Sequence, residues 1–331
     1  MMALLLTESD VRALLTMPIA LEAVETAFRR LAGGEAVAHP RQRLHLEGKS
    51  YLHYMAAGDA AGGYMGMKIY TSSREGLRFV VPLFNAESGE MLALIEADYL
   101  GQMRTGAATG VATKLLSRPD AKVVGIIGTG LQARTQLEAV AAVRRIERVL
   151  AYGRDAQRRE EFAREMTLKL GLRIEATKSL EEVASAADIL VTATTASQPI
   201  VKGEWLKPGT HINAIGANFP HKRELDAAAV SRADVIFVDS LEQSKTEAGD
   251  LIHAFESNAA RWDTLRELAE LVAGRVSGRS AREQITLFKS NGLSIEDIVT
   301  AGRVYELARE KGIGAEVRIW EMAKDAKRTR S

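Results

Sequence analysis

Chemistry is most legible at Gly128-Thr129-Gly130, with Ala133 three residues on. Ahead of it runs an apolar stretch, Val123-Val124-Gly125-Ile126-Ile127. Behind it Leu131, Leu137, Val140 and Val143 are the larger apolar residues of a helical pattern. Strand, glycine turn and helix in this order make a dinucleotide-binding unit. Gly128 permits the tight turn, Gly130 lets the backbone approach a pyrophosphate, and Ala133 lets the helix lie close to the strand. Thr129, Leu131 and Gln132 complete the cofactor-binding turn, and the free N–H groups of the first helical turn face the phosphates.

The next strand of such a unit decides which dinucleotide fits. An acidic residue at its end bonds the ribose hydroxyls in NAD-preferring folds. Here that strand ends Tyr152-Gly153-Arg154, with Gly153 at the acidic position and Arg158 one helical turn on. A missing carboxylate and a planar guanidinium favour a 2′-phosphate, so NADP(H) is preferred and NAD(H) stays open. The competing reading gives Asp155 the ribose contact and leaves Arg154 as a surface residue.

These groups need a scaffold, and the periodicity supplies one. Thr7 to Asp10 read as a helix start, and Pro18 suits the first turn of a second helix, which Gly33-Gly34 stops. From residue 41 the period becomes two. Strands follow at 51–55, 64–70, 79–84 and 91–95, with turns at 47–49, 62–63 and 85–90, then a small-residue helix over Arg104–Leu116. Beyond residue 119 strands alternate with helix-length segments: 122–127, 149–152, 173–176, 189–193, 211–215 and 235–239, with helices around 156–170 and 180–187. The second portion is therefore an α/β Rossmann-type doubly wound parallel sheet, and the first an α+β unit. A helix over Ser294–Lys311 closes the sequence and fits either unit by composition.

Composition sets the remaining bounds. Lys and Arg total 44 against 43 Asp and Glu, a net charge of +1, so nothing electrostatic points to nucleic acid or a membrane surface. The basic tail (Lys324, Lys327, Arg328, Arg330) reads as a solvated terminus. There is no cysteine, which excludes disulfides, thiolate metal sites and a cysteine nucleophile and fits a cytoplasmic protein. Glu8, Asp10 and Arg12 interrupt the first apolar run, unlike a signal peptide. The six histidines contain no i,i+4 ligand pair, so no metal is expected, and there is neither a GxSxG elbow nor a Walker loop.

Three further motifs stand in a telling order: Gly66-Met67-Lys68-Ile69-Tyr70-Thr71, Met103-Arg104-Thr105-Gly106-Ala107-Ala108-Thr109, and Lys289-Ser290-Asn291-Gly292 with Glu296-Asp297. Together with the glycine turn they make the chain resemble the ornithine cyclodeaminase/mu-crystallin family over about residues 5–320. That resemblance implies a substrate and dimerisation domain of residues 1–118 plus 294–331, with a dinucleotide-binding domain of 119–293 inserted in it, and a homodimer. It implies that Arg43, Lys68 and Arg104 hold and polarise the substrate. It places Thr105, Ser290, Asn291 and Gly292 by the nicotinamide and Thr194 and Gly216 along the cofactor. Arg41 could replace Arg43 as the carboxylate clamp; Leu44-His45-Leu46 favours Arg43. The chemistry agrees, since a carboxylate needs paired cations and a lysine on an apolar strand is costly without a purpose.

Two departures bear on the reaction. Asn218 stands where cyclodeaminases and alanine dehydrogenases of this family present an aspartate, and His53 where a glutamate meets the side-chain amine of ornithine. Asparagine cannot shuttle a proton near pH 7. Both changes suit a ketimine reductase acting on Δ1-pyrroline-2-carboxylate or Δ1-piperideine-2-carboxylate, with Asn218 at the catalytic loop and His53 on the substrate. The other readings are an alanine dehydrogenase, an ornithine cyclodeaminase, and a mu-crystallin-like protein that holds NADPH and a ligand without turnover.

Overall fold

The computed structural model describes residues 2–47, 49–73, 76–257 and 261–320. The basic tail and Gly48 lie outside the described residues. Strand β1 (Met2–Leu6) leads into α1 (Glu8–Leu14), which starts on the expected capping box between Thr7 and Asp10. Helix α2 (Met17–Gly33) has Pro18 in its first turn and stops on Gly34 in the left-handed conformation. Then come β2 (Ala36–Ala38), β3 (Gln42–His45), β4 (Tyr51–Asp59), β5 (Tyr64–Ser73), β6 (Gly76–Asn85) and β7 (Met91–Glu96).

Helix α3 spans Asp98–Leu116, six residues longer at its start than the sequence predicts. The reason is a cap from far away in the chain. Glu8 accepts from the N–H groups of Asp98 (2.6 Å) and Tyr99 (3.0 Å), and its own N–H donates to Glu96 at 2.8 Å. Local sequence cannot show a cap lent by residue 8. Residues Leu100 to Thr113 are all buried, so α3 is a central spine rather than a surface helix.

The second half begins with β8 (Val123–Ile127), α4 (Leu131–Val143), β9 (Arg148–Tyr152), α5 (Ala156–Leu170), β10 (Arg173–Ala176), α6 (Leu180–Ala186), β11 (Ile189–Thr192) and β12 (His211–Ala214). It continues with α7 (Ala227–Ser231), β13 (Val235–Val238), α8 (Leu241–Glu247), α9 (Gly249–Glu256), β14 (Arg266–Glu267), α10 (Leu268–Val272) and β15 (Thr286–Lys289). Helix α11 (Ser294–Lys311) and β16 (Ala315–Arg318) follow. The sequence reading lacked β1, β2, β14, β15 and β16.

Two eight-stranded sheets result. The first runs β16-β1-β7-β6-β5-β4-β2 with β3 on β4, mostly antiparallel, and α2, α3 and α11 pack on it around Phe28, Val24, Met103 and Ile298. The second, β10-β9-β8-β11-β12-β15-β13-β14, is parallel throughout, the doubly wound order with its switch between β8 and β11. Helix α3 joins the halves, packing on α2 and α11 on one side and on α4, β12 and β15 on the other. At its crossing with α4 only glycine fits at position 106, since a Cβ there would lie 2.5 Å from the Thr135 carbonyl oxygen.

The Glu8 cap gives a direct test. Replacing Glu8→Ala leaves two N–H groups of α3 without their acceptor and is expected to lower stability by about 1–2 kcal/mol in urea unfolding. An unchanged midpoint would mean that α3 does not depend on this cap.

Candidate active site

A cavity of about 530 Å³ opens between the carboxyl ends of the parallel strands and the inner face of β4 and β5. Lys68 and Tyr70 alternate inward along β5, and His53 lies opposite Tyr70 in the β4–β5 register. Arg104 and Thr105 enter from the first half of α3, one helical turn past Gly101 and Gln102.

Charge is concentrated here. Lys68, 4% exposed, donates to Asp297 Oδ1 at 3.0 Å. Arg104 donates through Nε to the same oxygen at 3.1 Å and through Nη1 to Glu296 at 2.8 Å. Burial, reinforced by the Arg104 cation, pulls the Lys68 ammonium down to about 8 against the opposing pull of Asp297. Burial also works against the Arg104 charge, but Asp297 and Glu296 outweigh it and hold Arg104 above its ordinary value. Glu296 is pushed up to about 7 by burial, although Arg104 opposes that shift. Both carboxylates sit in the first turn of α11, where the helix dipole also favours them.

The two candidate clamps differ in place. Arg41 lines the cavity, with Nη1 on Glu247 at 2.5 Å, Nη2 on the Asn291 carbonyl at 2.8 Å and a buried Nε without a partner. Arg43 does not line it. Its Nη2 meets the other oxygen of Glu247 at 2.5 Å and the Asn218 carbonyl at 3.3 Å, and its guanidinium stacks 4.6 Å from the Phe219 ring. The residue facing the cavity is thus Arg41, a correction to the sequence expectation. The pattern Leu44-His45-Leu46 misled because it marks β3 without saying which arginine turns inward.

His53 is buried and stacks on Tyr70 at 4.3 Å with its Nε2 3.1 Å from Ser72 Oγ. Burial, then Arg43 and Arg41, lowers it to about 4, so it is neutral at physiological pH. Asn218, Gly216, Thr194, Gln132, Leu131 and Gly130 line the same cavity from the parallel sheet. Leu131 is 60% exposed, pointing into the cleft instead of serving the buried face of α4 that its spacing suggests. Ala133, in the first turn of α4, is buried.

A second groove continues from the first, sharing Gly130, Ala193, Thr194 and Thr195 with it. It is lined by Gly128 at φ +107°, Thr129, Gly153, Arg154, Asp155 and Arg158. A Cβ at Gly153 would lie 2.5 Å from Thr129 Oγ1, so any side chain there would require Thr129 to turn away. Asp155 caps α5 by accepting from the Arg158 N–H at 2.9 Å. The α4 N-terminus, with Gly130 as N-cap and no side chain capping it, leaves N–H groups for an anion. This groove and the cavity fit a dinucleotide: turn, free N–H groups and two exposed guanidiniums at one end, a polar cavity at the other.

Sequence reasoning missed three buried carboxylates that shape the walls. Asp239 accepts from Ser290 Oγ (3.0 Å) and the N–H groups of Asn291 (2.6 Å) and Gly292 (2.5 Å), fixing the turn after β15. Glu224 accepts from Thr192 Oγ1 and the N–H groups of Thr194 (2.6 Å) and Gly216 (2.8 Å). Glu247 carries both arginines. Only Asp239 had a signal, an acid directly after an apolar strand. The Thr105 hydroxyl donates to the Gly101 carbonyl at 2.6 Å, so Thr105 meets the cavity without a free proton to give. Among the described residues no three His, Asp or Glu side chains gather as a metal site. No described helix is long and apolar enough to cross a membrane.

Comparisons with known proteins agree with this geometry. The ornithine cyclodeaminase/mu-crystallin family model matches residues 1–312. The Δ1-pyrroline-2-carboxylate reductase of Thermococcus litoralis, solved with NADH and L-proline, is 40% identical, with a TM-score of 0.92 over 95% of this chain and 100% of that one. An archaeal alanine dehydrogenase dimer with bound NAD is 37% identical, with a TM-score of 0.91 over 97% and 100%. The iminosuccinate reductase of Paracoccus denitrificans, in complex with NAD+, is 31% identical, with a TM-score of 0.91 over 96% and 100%. The chain belongs to the ornithine cyclodeaminase/mu-crystallin family.

Proposed function

We propose that this protein reduces the C=N bond of a small cyclic imino acid, such as Δ1-pyrroline-2-carboxylate or Δ1-piperideine-2-carboxylate, to the L-amino acid. The observation that carries the reading is Asp297 holding Lys68 and Arg104 side by side at the mouth of a dinucleotide groove. A nicotinamide dinucleotide, when bound, supplies the hydride. Arg41, which lines the cavity, and Arg104, with the guanidinium edge not given to Glu296 and Asp297, take the substrate carboxylate. Lys68 holds its ammonium against the imine nitrogen, polarising the bond and providing a proton there. Arg43 we place on Glu247 and the 218–219 loop, not on the substrate.

The wall that Lys68 shares supports a cyclic imine over a diamino acid. Neutral His53, Tyr70, Phe79 and Leu77 carry no carboxylate to pair with a side-chain ammonium, and the acid that lines the cavity elsewhere, Asp98, stands at the start of α3. Asn218 replaces a proton-shuttling acid at the same loop, and imine reduction needs none there.

For the cofactor we propose NADP(H), on Arg154 and Arg158 beside Gly153, which carries no carboxylate. We also propose a cytoplasmic homodimer. The outer face of the first sheet carries Val37, Met65, Met67 and Phe84 around an apolar hollow that no described helix covers, a surface suited to a second copy.

Oxidation of NADPH followed at 340 nm tests the activity, with Δ1-pyrroline-2-carboxylate against pyruvate plus ammonia. Fast turnover of the imine is expected; turnover of pyruvate and ammonia alone would make this an amino-acid dehydrogenase. Lys68→Met is expected to lower kcat/KM about 100-fold or more while NADPH still binds. Lys68 acts charged, and burial holds it near 8, so wild-type kcat/KM falls as pH rises through about 8. A profile flat to pH 10, or full turnover without Lys68, would remove it from the reaction. Arg154→Ser is expected to raise the KM for NADPH on the order of tenfold or more and leave that for NADH within about twofold. Equal effects on both would return Arg154 to the surface.

A further inference from the structure

Glu247 is buried, 1% exposed, at the end of α8 in the nucleotide half. Both of its oxygens are taken by guanidiniums from the other half, Arg41 on one and Arg43 on the other, each at 2.5 Å. Arg41 directly precedes β3 and Arg43 is its second residue, and both reach Glu247. Gln243, one turn back on α8, fixes Glu247 by donating to Oε2 at 2.9 Å. Arg43 continues past Glu247 to the Asn218 carbonyl and lies on the Phe219 ring. That loop also carries Gly216 and Asn218 on the cavity wall. A single side chain therefore touches the partner of the substrate clamp and the loop along the cofactor.

We propose that Arg43 is a positioning residue that latches the two halves together, so that cofactor and imino acid bind cooperatively through the Arg43–Glu247–Arg41 bridge. Separating the halves would leave two neighbouring guanidiniums without their shared carboxylate and Glu247 without either cation. Uncompensated charge of this kind is costly wherever water reaches it poorly. The bridge thus favours the joined arrangement. In that arrangement Arg41 is held on the cavity wall by Glu247 and the Asn291 carbonyl. A ligand on either side that needs the joined arrangement raises the affinity of the other, and the effect is reciprocal. Arg43 touches neither ligand in this account. Its effect passes through Glu247 and the 218–219 backbone.

This inference rests on the imine-reductase reading, and its test separates the two. NADH fluorescence titrations give the cofactor Kd with and without saturating L-proline. Wild type is expected to bind NADH at least fivefold tighter with proline present. Arg43→Met is expected to keep the NADH Kd measured alone within twofold but to lose the proline effect, and Arg43→Lys to recover part of it. A full proline effect in Arg43→Met overturns the latch, and so does an equal loss of NADH affinity without proline. If proline binds wild type in its own titration but leaves the NADH Kd unchanged, the latch is overturned; if proline does not bind at all, the substrate reading fails, and hydrogen exchange with NADH alone decides the latch. Binding of NADH must then slow exchange in residues 42–45, on the far side of the cleft, in wild type and not in Arg43→Met. Identical exchange in both proteins overturns it.

Discussion

Buried charge is the constraint on which this structure depends. Lys68, Arg104 and Arg41 are each nearly inaccessible, and an unpartnered cation in such surroundings would cost several kcal/mol. Each is therefore answered by a carboxylate: Asp297 for Lys68, Asp297 and Glu296 for Arg104, Glu247 for Arg41. Arg43 shares Glu247 with Arg41, so these four cations are held by three carboxylates. The same pairs fix geometry. Asp297 Oδ1 receives both Lys68 and Arg104, so the ammonium and the guanidinium proposed to polarise and hold the substrate share a reference point. Such preorganisation lowers the reorganisation the reaction would otherwise require.

The fold exists to bring these partners together from distant places. Lys68 comes from a strand of the first sheet, Arg104 from the helix between the halves, and Asp297 from a helix that follows the whole nucleotide portion. Helix α3 can reach both halves because glycine at 106 allows it to lie against α4 and because Glu8 caps its buried start. Glu224 and Asp239 do the corresponding work on the parallel sheet, tying Thr194, Gly216 and the 290–292 turn where the cofactor groove meets the cavity.

Much of this was legible in the sequence. The glycine turn, the alternation of strands and helices after residue 119, the Thr7 cap and the Gly34 stop all rest on local rules, and each stands where those rules put it. What escaped was set by distant partners. Strand β15 hides because Thr286 and Lys289 interrupt its apolar pattern, and Lys289 is buried by donating to the Ala214 and Ala217 carbonyls. Strands β1 and β16 pair with each other across the length of the chain. The exchange of Arg43 for Arg41 has the same origin, because both arginines reach Glu247. Which of them meets the cavity depends on α8 and the 218–219 loop.

The central claim is that hydride passes directly to an imine carbon held between Arg41, Arg104 and Lys68. Single-turnover reduction of Δ1-pyrroline-2-carboxylate with NADPH doubly deuterated at C4 tests it most directly, with the product examined by mass spectrometry and proton NMR. The account predicts one deuterium at C2 of the proline formed. Proline without deuterium, or label that remains on the cofactor while substrate is consumed, would contradict it.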